Sequence, residues 1–165
     1  MKRVYWDANC FIDFLKGNER GRQLVGVVEA MERGELQIVS SVIVLTEVLK
    51  LDDASEESKQ RIIDTFDEDE GILIVDLTRH LAEEARSFIW KHDYQKRKMD
   101  SIHLATAVYL NQYQPIAEIH SFDDDFLKLN GSSDIPIPIV KPNAEIYPQK
   151  PPRLFDGKGN VLEAN

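Results

Sequence analysis

The sequence predicts an α/β fold: a mostly parallel central sheet covered by helices on both faces, three layers in all. Three observations predict it. Short β-branched or aromatic runs alternate with helical patterns of ten or so residues, the rhythm of βαβ units. One run, Ile72-Leu73-Ile74-Val75, is apolar at every position, as a strand buried on both faces must be. No long linker interrupts the alternation before the last quarter, and 165 residues make about one domain.

Taken in order, Lys2–Trp6 reads as a strand that ends at Asp7. Glu19–Arg33 has helical spacing through Leu24, Val27, Val28 and Met31, and Gly34 stops it. Leu36–Val39 is a short strand. Ser40 and Ser41 suit the N-cap of a helix from Val42 to about Leu51. Glu56–Phe66 is a charged helix, and Gly71 precedes the buried strand Ile72–Val75. Thr78–Lys91 is helical, with Leu81, Ala85, Phe88 and Ile89 on one face. A basic loop leads to a helix from about Met99 to Asn111. Ile116–Phe122 is a further strand and Asp124–Leu129 a short helix. From Ile135 the prolines forbid regular helix, so residues 141–165 are expected as an extended tail on a domain of residues 1–140. Asp156-Gly157-Lys158-Gly159 suits a turn within that tail.

Composition excludes several classes. A hydrophobic fraction of 42% with 30% charged residues is that of a soluble globular chain. No apolar run approaches the roughly 20 residues of a membrane span, and the first residues do not form a signal peptide. The single cysteine, Cys10, permits neither an internal disulfide nor a zinc cluster, so a reducing cytoplasm is the expected setting. With 20 Lys+Arg against 29 Asp+Glu, the net charge of -9 opposes a general nucleic-acid footprint. Nucleic-acid binding would need a local basic patch and bound cations.

Four acids stand where packing alone would not put them. Asp7 follows Val4-Tyr5-Trp6, and Asp123 follows Ile119-His120-Ser121-Phe122. Parallel strands would bring both to one rim, the edge where open α/β sheets bind ligands. Glu47 interrupts an apolar stretch, and Asp100 opens the nearly uncharged helix Ser101–Val108. Singly, each has an ordinary account. Asp7 suits a helix cap, Asp100 and Asp123 suit the positive end of a helix dipole, and Glu47 suits an ion pair. Together they would repel unless protonated or bridged by cations. Magnesium or manganese suits an all-carboxylate set. His103, one turn after Asp100, is expected as a core or supporting residue.

The motifs Val4-Tyr5-Trp6-Asp7-Ala8-Asn9, Thr46-Glu47-Val48, Asp100-Ser101-Ile102-His103-Leu104-Ala105-Thr106-Ala107 and Ser121-Phe122-Asp123-Asp124-Asp125-Phe126 resemble the PIN-domain ribonucleases, especially VapC-type toxins of toxin–antitoxin pairs. The resemblance spans about Lys2 to Val140. It implies a PIN-like α/β/α sandwich and a metal-dependent endoribonuclease with Asp7, Glu47, Asp100 and Asp123 as its metal-binding acids. It further implies supporting roles for Asn9, Ser121 and Asp125. Ala8 stands where Thr or Ser is frequent, and the proline-rich tail lies outside the usual pattern. A toxin of this kind would dimerise and be blocked by an antitoxin. The apolar residues Val48, Leu49 and Leu51 are the expected partner surface.

The basic segment before Asp100 supplies the substrate side: Lys96, Arg97 and Lys98 for phosphates and Tyr94 for stacking on a base. Two other readings remain at this point. A PIN-like RNA-binding or scaffold domain would have lost some of the acids, and all four are present. A haloacid-dehalogenase-type phosphatase wants a second Asp two positions after Asp7, where Asn9 stands.

Overall fold

The computed structural model describes residues 1–53, 55–67, 71–93 and 98–149, and the backbone of 154–155 and 161–162. Five parallel strands, β1 (Lys2–Trp6), β2 (Leu36–Ser41), β3 (Ile72–Val75), β4 (Glu118–His120) and β5 (Ile139–Val140), form a sheet in the order β3-β2-β1-β4-β5. The order reverses at β1, so the crevice outside its carboxyl end is where such a sheet places a site.

Side chains of β1 alternate between two cores. Val4 and Trp6 pack with Phe11 of α1 (Ala8–Lys16), Val27 of α3 (Val25–Glu32) and the partly buried Ile62 of α5 (Glu56–Thr65). Tyr5 points to the other face, among Phe88 of α6 (Arg79–His92), Leu104 of α7 (Lys98–Asn111) and Phe126 of α8 (Asp124–Leu127). This makes the expected three-layer α/β/α sandwich. Each fully buried large side chain contributes roughly 1.5–3 kcal/mol.

Several elements depart from the sequence reading. The expected helix Glu19–Arg33 is two pieces, α2 (Glu19–Arg22) and α3, joined through Gln23 and Leu24. The expected helix Val42–Leu51 is one turn, α4 (Val44–Glu47). Ser40 and Ser41 are not its caps. They extend β2 by pairing with Ile74 and Val75, and Ser40 Oγ donates to the Trp6 carbonyl at 2.8 Å. An apolar run this short fits strand or helix, and pairing with β3 decides for strand. The strand expected over Ile116–Phe122 is limited to Glu118–His120. Val48 and Leu51 are buried core residues rather than spare surface, and only Leu49 of that trio is exposed.

The segment after Val140 returns to the domain. Tyr147 is buried, and its hydroxyl donates to Glu118 Oε2 at 2.7 Å while accepting from Lys2 Nζ. Its backbone crosses α3 at Gly26, where a Cβ would meet the Tyr147 carbonyl oxygen at 1.8 Å. Further on, β6 (Leu154–Phe155) and β7 (Val161–Leu162) pair antiparallel. Pro151, Pro152 and Asp156–Gly159 lie outside the described residues.

Candidate active site

Asp7 is the residue just past β1, and the chain turns there into α1. The acid caps that helix: Cys10 N donates to Asp7 Oδ1 at 2.9 Å. Capping alone would leave it at the surface, yet Asp7 is only 4% exposed. Its other oxygen, Oδ2, accepts from Ser121 Oγ at 2.6 Å. Ser121 Oγ in turn accepts from Asp123 N at 3.1 Å. One serine thus ties the two strand-end acids together, reaching Asp7 from 114 residues away in sequence.

Burial pushes the Asp7 carboxyl up from its ordinary range, against the pull of Ser121, the Cys10 amide and nearby His103. No ion pair to Asp7 forms among the described residues. It is a buried carboxylate held by neutral donors, and such a charge is costly unless a cation answers it.

The second half of the site hangs on α7. His103 is buried and bridges two elements. Its Nε2 lies 2.8 Å from Glu47 Oε2, and its Nδ1 lies 2.9 Å from Tyr5 Oη. A carboxylate only accepts, so Nε2 carries the proton and Nδ1 accepts from the tyrosine. Glu47 thereby stands at the end of α4, with a histidine as the partner that its ordinary account as half of an ion pair asked for. Asp100 sits in the first turn of α7, half-buried, one turn before His103. That buried histidine sits where the sequence reading expected a core or supporting residue. Its signal was its spacing from Asp100 in a helix buried on most sides.

Asn9 is exposed, and the support for Asp7 comes from Cys10 N and Ser121 Oγ rather than from it. Asp123 caps α8 by accepting from Asp125 N. The Asp125 carboxylate faces Lys128 Nζ at 2.5 Å. Lys98 is exposed at the start of α7; Tyr94, Lys96 and Arg97 lie outside the described residues. Cys10 is no nucleophile. Its thiol donates to the His120 carbonyl, and burial beside Asp7 pushes its pKa well up.

Among the described residues, no three His, Cys, Asp or Glu side chains form one metal-coordinating group. The donor chemistry nevertheless fits a hard cation. All four acids offer oxygen, Asp7 is buried with no ion pair among the described residues, and Ser41 Oγ, at the end of β2, is buried with no partner among them. Magnesium needs only one or two protein carboxylates and keeps several waters.

Residues 4–131 match the sequence model of the PIN domain. No curated protein matches the chain. Among solved structures, a toxin–antitoxin complex from Klebsiella pneumoniae is 20% identical with a TM-score of 0.54, covering 84% of this chain and 97% of that one. VapBC2 from Rickettsia felis, bound to a DNA fragment from its promoter, is 17% identical with a TM-score of 0.57, covering 84% and 98%. At these identities the likeness is one of fold.

Proposed function

The chain belongs to the PIN domain family, and we propose that it is a divalent-metal-dependent endoribonuclease, the toxin of a toxin–antitoxin pair. One observation carries the reading: the buried Asp7 carboxylate, tied through Ser121 to Asp123 at the carboxyl end of the central strand. Asp7, Glu47, Asp100 and Asp123 are the residues that would hold magnesium or manganese. When bound, such an ion supplies a water of lowered pKa and neutralises phosphate charge.

The chain's own groups do the rest. Ser121 fixes Asp7 Oδ2, the Cys10 amide fixes Oδ1, and His103 fixes Glu47, so the carboxylates need little reorganisation when a phosphodiester arrives. Burial of Asp7 keeps its charge poorly hydrated and therefore strongly attracted to a cation. A cognate antitoxin belongs to the proposal, because the structural neighbours named above include toxin–antitoxin complexes. Leu45, Leu49 and Ile63, exposed on and beside α4 and α5, offer it apolar surface. Pairing of two copies and a cytoplasmic location complete the proposal. No described helix is long and apolar enough to cross a membrane.

The test is cleavage of a mixed RNA pool by the full chain with manganese, with chelator, and with Asp7→Asn. Cleavage that needs both the metal and Asp7 is expected. An intact pool in manganese would overturn the reading.

A further inference from the structure

Beside the acids lies a cleft that the reading above does not use. Its volume is about 490 Å³, and it lies between α2 and the segment that follows β5. That volume is within the roughly 300–1,000 Å³ of small-molecule sites. Phe122, flanked in sequence by Ser121 and Asp123, lines it, so the cleft adjoins the acidic rim. Arg20 stands over the Phe122 ring, with its guanidinium carbon 5.7 Å from the centroid. Lys141, the first residue after β5, lines the cleft as well.

The walls are fixed in advance. Gln23 of the α2–α3 junction accepts from Ala144 N through its side-chain oxygen. On one side of that bond, Ser121 N donates to the Val140 carbonyl. On the other, buried Tyr147 pins the chain to Glu118 and against Gly26. A site held this way loses little freedom when a ligand enters.

Its charge is unlike that of the rest of the molecule. The chain carries -9 overall, yet Arg20 and Lys141 outnumber Glu19 in this lining. Their own partners hold them loosely: Arg20 is 4.0 Å from Asp13 and Lys141 is 3.8 Å from Asp124, with the two basic side chains 60% and 55% exposed. Long, wet pairs of that kind exchange readily for another anion.

We propose that this cleft is a subsite for the substrate strand, in which Arg20 and Lys141 grip backbone phosphate of a nucleotide flanking the bond to be cut. The proposal rests on the ribonuclease reading and extends it to a basic surface outside the segment before Asp100. An acidic protein then meets RNA through two cations set beside its acids, and the Phe122 ring beneath the guanidinium helps to hold Arg20 in place.

The experiment measures binding of a mixed-sequence single-stranded RNA oligonucleotide to the full chain, in chelator so that it is not cut, across a salt series. Arg20→Ala and Lys141→Ala are each expected to lower the log–log salt slope by roughly 0.7, the value for one phosphate contact on a single strand. Arg20→Lys should retain the slope. Arg33→Ala, just before β2 at the amino end of the parallel strands, away from the rim that carries Asp7, should leave it unchanged. Arg20 and Lys141 are more than half exposed, and thermal unfolding checks that each variant folds. Unchanged slopes in the Arg20 and Lys141 variants, with wild type still binding and cleaving RNA, would overturn the subsite alone. An equal loss in Arg33→Ala would overturn it too, as a general charge effect. Wild type that neither binds nor cleaves RNA would overturn the subsite and the ribonuclease reading together.

Discussion

His103 Nε2 stands 2.8 Å from Glu47 Oε2, and the same ring reaches Tyr5 Oη with its other nitrogen. A carboxylate on a one-turn helix is thereby locked to the central strand and to α7. Groups that orient metal-binding carboxylates typically contribute 10–100-fold in metal affinity or activity. His103→Ala should lower manganese affinity, measured by calorimetry on the full chain, within that range. Unaltered affinity would leave His103 as packing only.

Tyr5→Phe tests the far end of the same chain of bonds. It leaves His103 Nδ1 buried without a donor, which should cost about 1–3 kcal/mol in denaturant unfolding. Loss of stability without loss of cleavage would assign Tyr5 to the fold rather than to Glu47.

Asp7→Asn should act in opposite directions on activity and stability. Cleavage should fall by more than the roughly 10–100-fold expected for a supporting group. In chelator the variant should melt higher, because the charge whose burial raises the Asp7 pKa is gone. Manganese should raise the wild-type melting temperature by mass action and raise that of the variant less. A variant that melts lower in chelator would mean the carboxylate is stabilising as built.

Glu118 sets an acid limit. The His120 Nε2 hydrogen bond, followed by the Tyr147 hydroxyl and Lys2, holds its carboxyl down at about 2 from an ordinary 4.5, against the opposing effect of burial. A depressed carboxylate favours the folded state fully above its unfolded pKa. That stabilisation fades as pH falls from about 4.5 and is gone below about 2. Stability measured over that window should fall more steeply in wild type than in Glu118→Gln. Parallel curves would remove Glu118 from the acid limb.

Gly26→Ala sets two rules against each other. Helix propensity alone favours alanine by about 1 kcal/mol. The added Cβ would meet the Tyr147 carbonyl oxygen at 1.8 Å, so a net loss of about 1–3 kcal/mol is expected from the displaced segment. A gain in denaturant midpoint would mean that the contact yields easily.

The parts of the site legible in the sequence are those that local pattern dictates. Asp7 and Asp123 ended apolar strands, Asp100 opened an apolar helix, and the strand–helix rhythm set the sheet. The illegible parts depend on distant partners. Ser40 and Ser41 looked like caps because an N-cap needs only a local hydroxyl, whereas their strand state depends on β3, over thirty residues on. Glu47 suited an ion pair whose partner the local sequence does not name, and only the packing of α7 on β2 supplies His103. Lys2, Glu118 and Tyr147 carry no shared local signature, since the contact between Lys2 and Tyr147 spans 145 residues. Asn9 shows the opposite case: it is exposed on α1, and Asp7 accepts its hydrogen bonds from Cys10 N and Ser121 Oγ.

The Asp7–Ser121 bond also bears on when, during synthesis, the site is completed. The strand that carries Asp7 is made first, but β4, which positions Ser121, emerges over a hundred residues later. Chains are synthesised at roughly 5–20 residues per second, so Asp7 waits several seconds for its partner. Pairings of such long sequence separation are also slow to form once the chain is available. A nascent or truncated chain that stops short of β4 cannot assemble the two-acid arrangement. The order of translation therefore delays completion of the site until nearly the whole domain has been made.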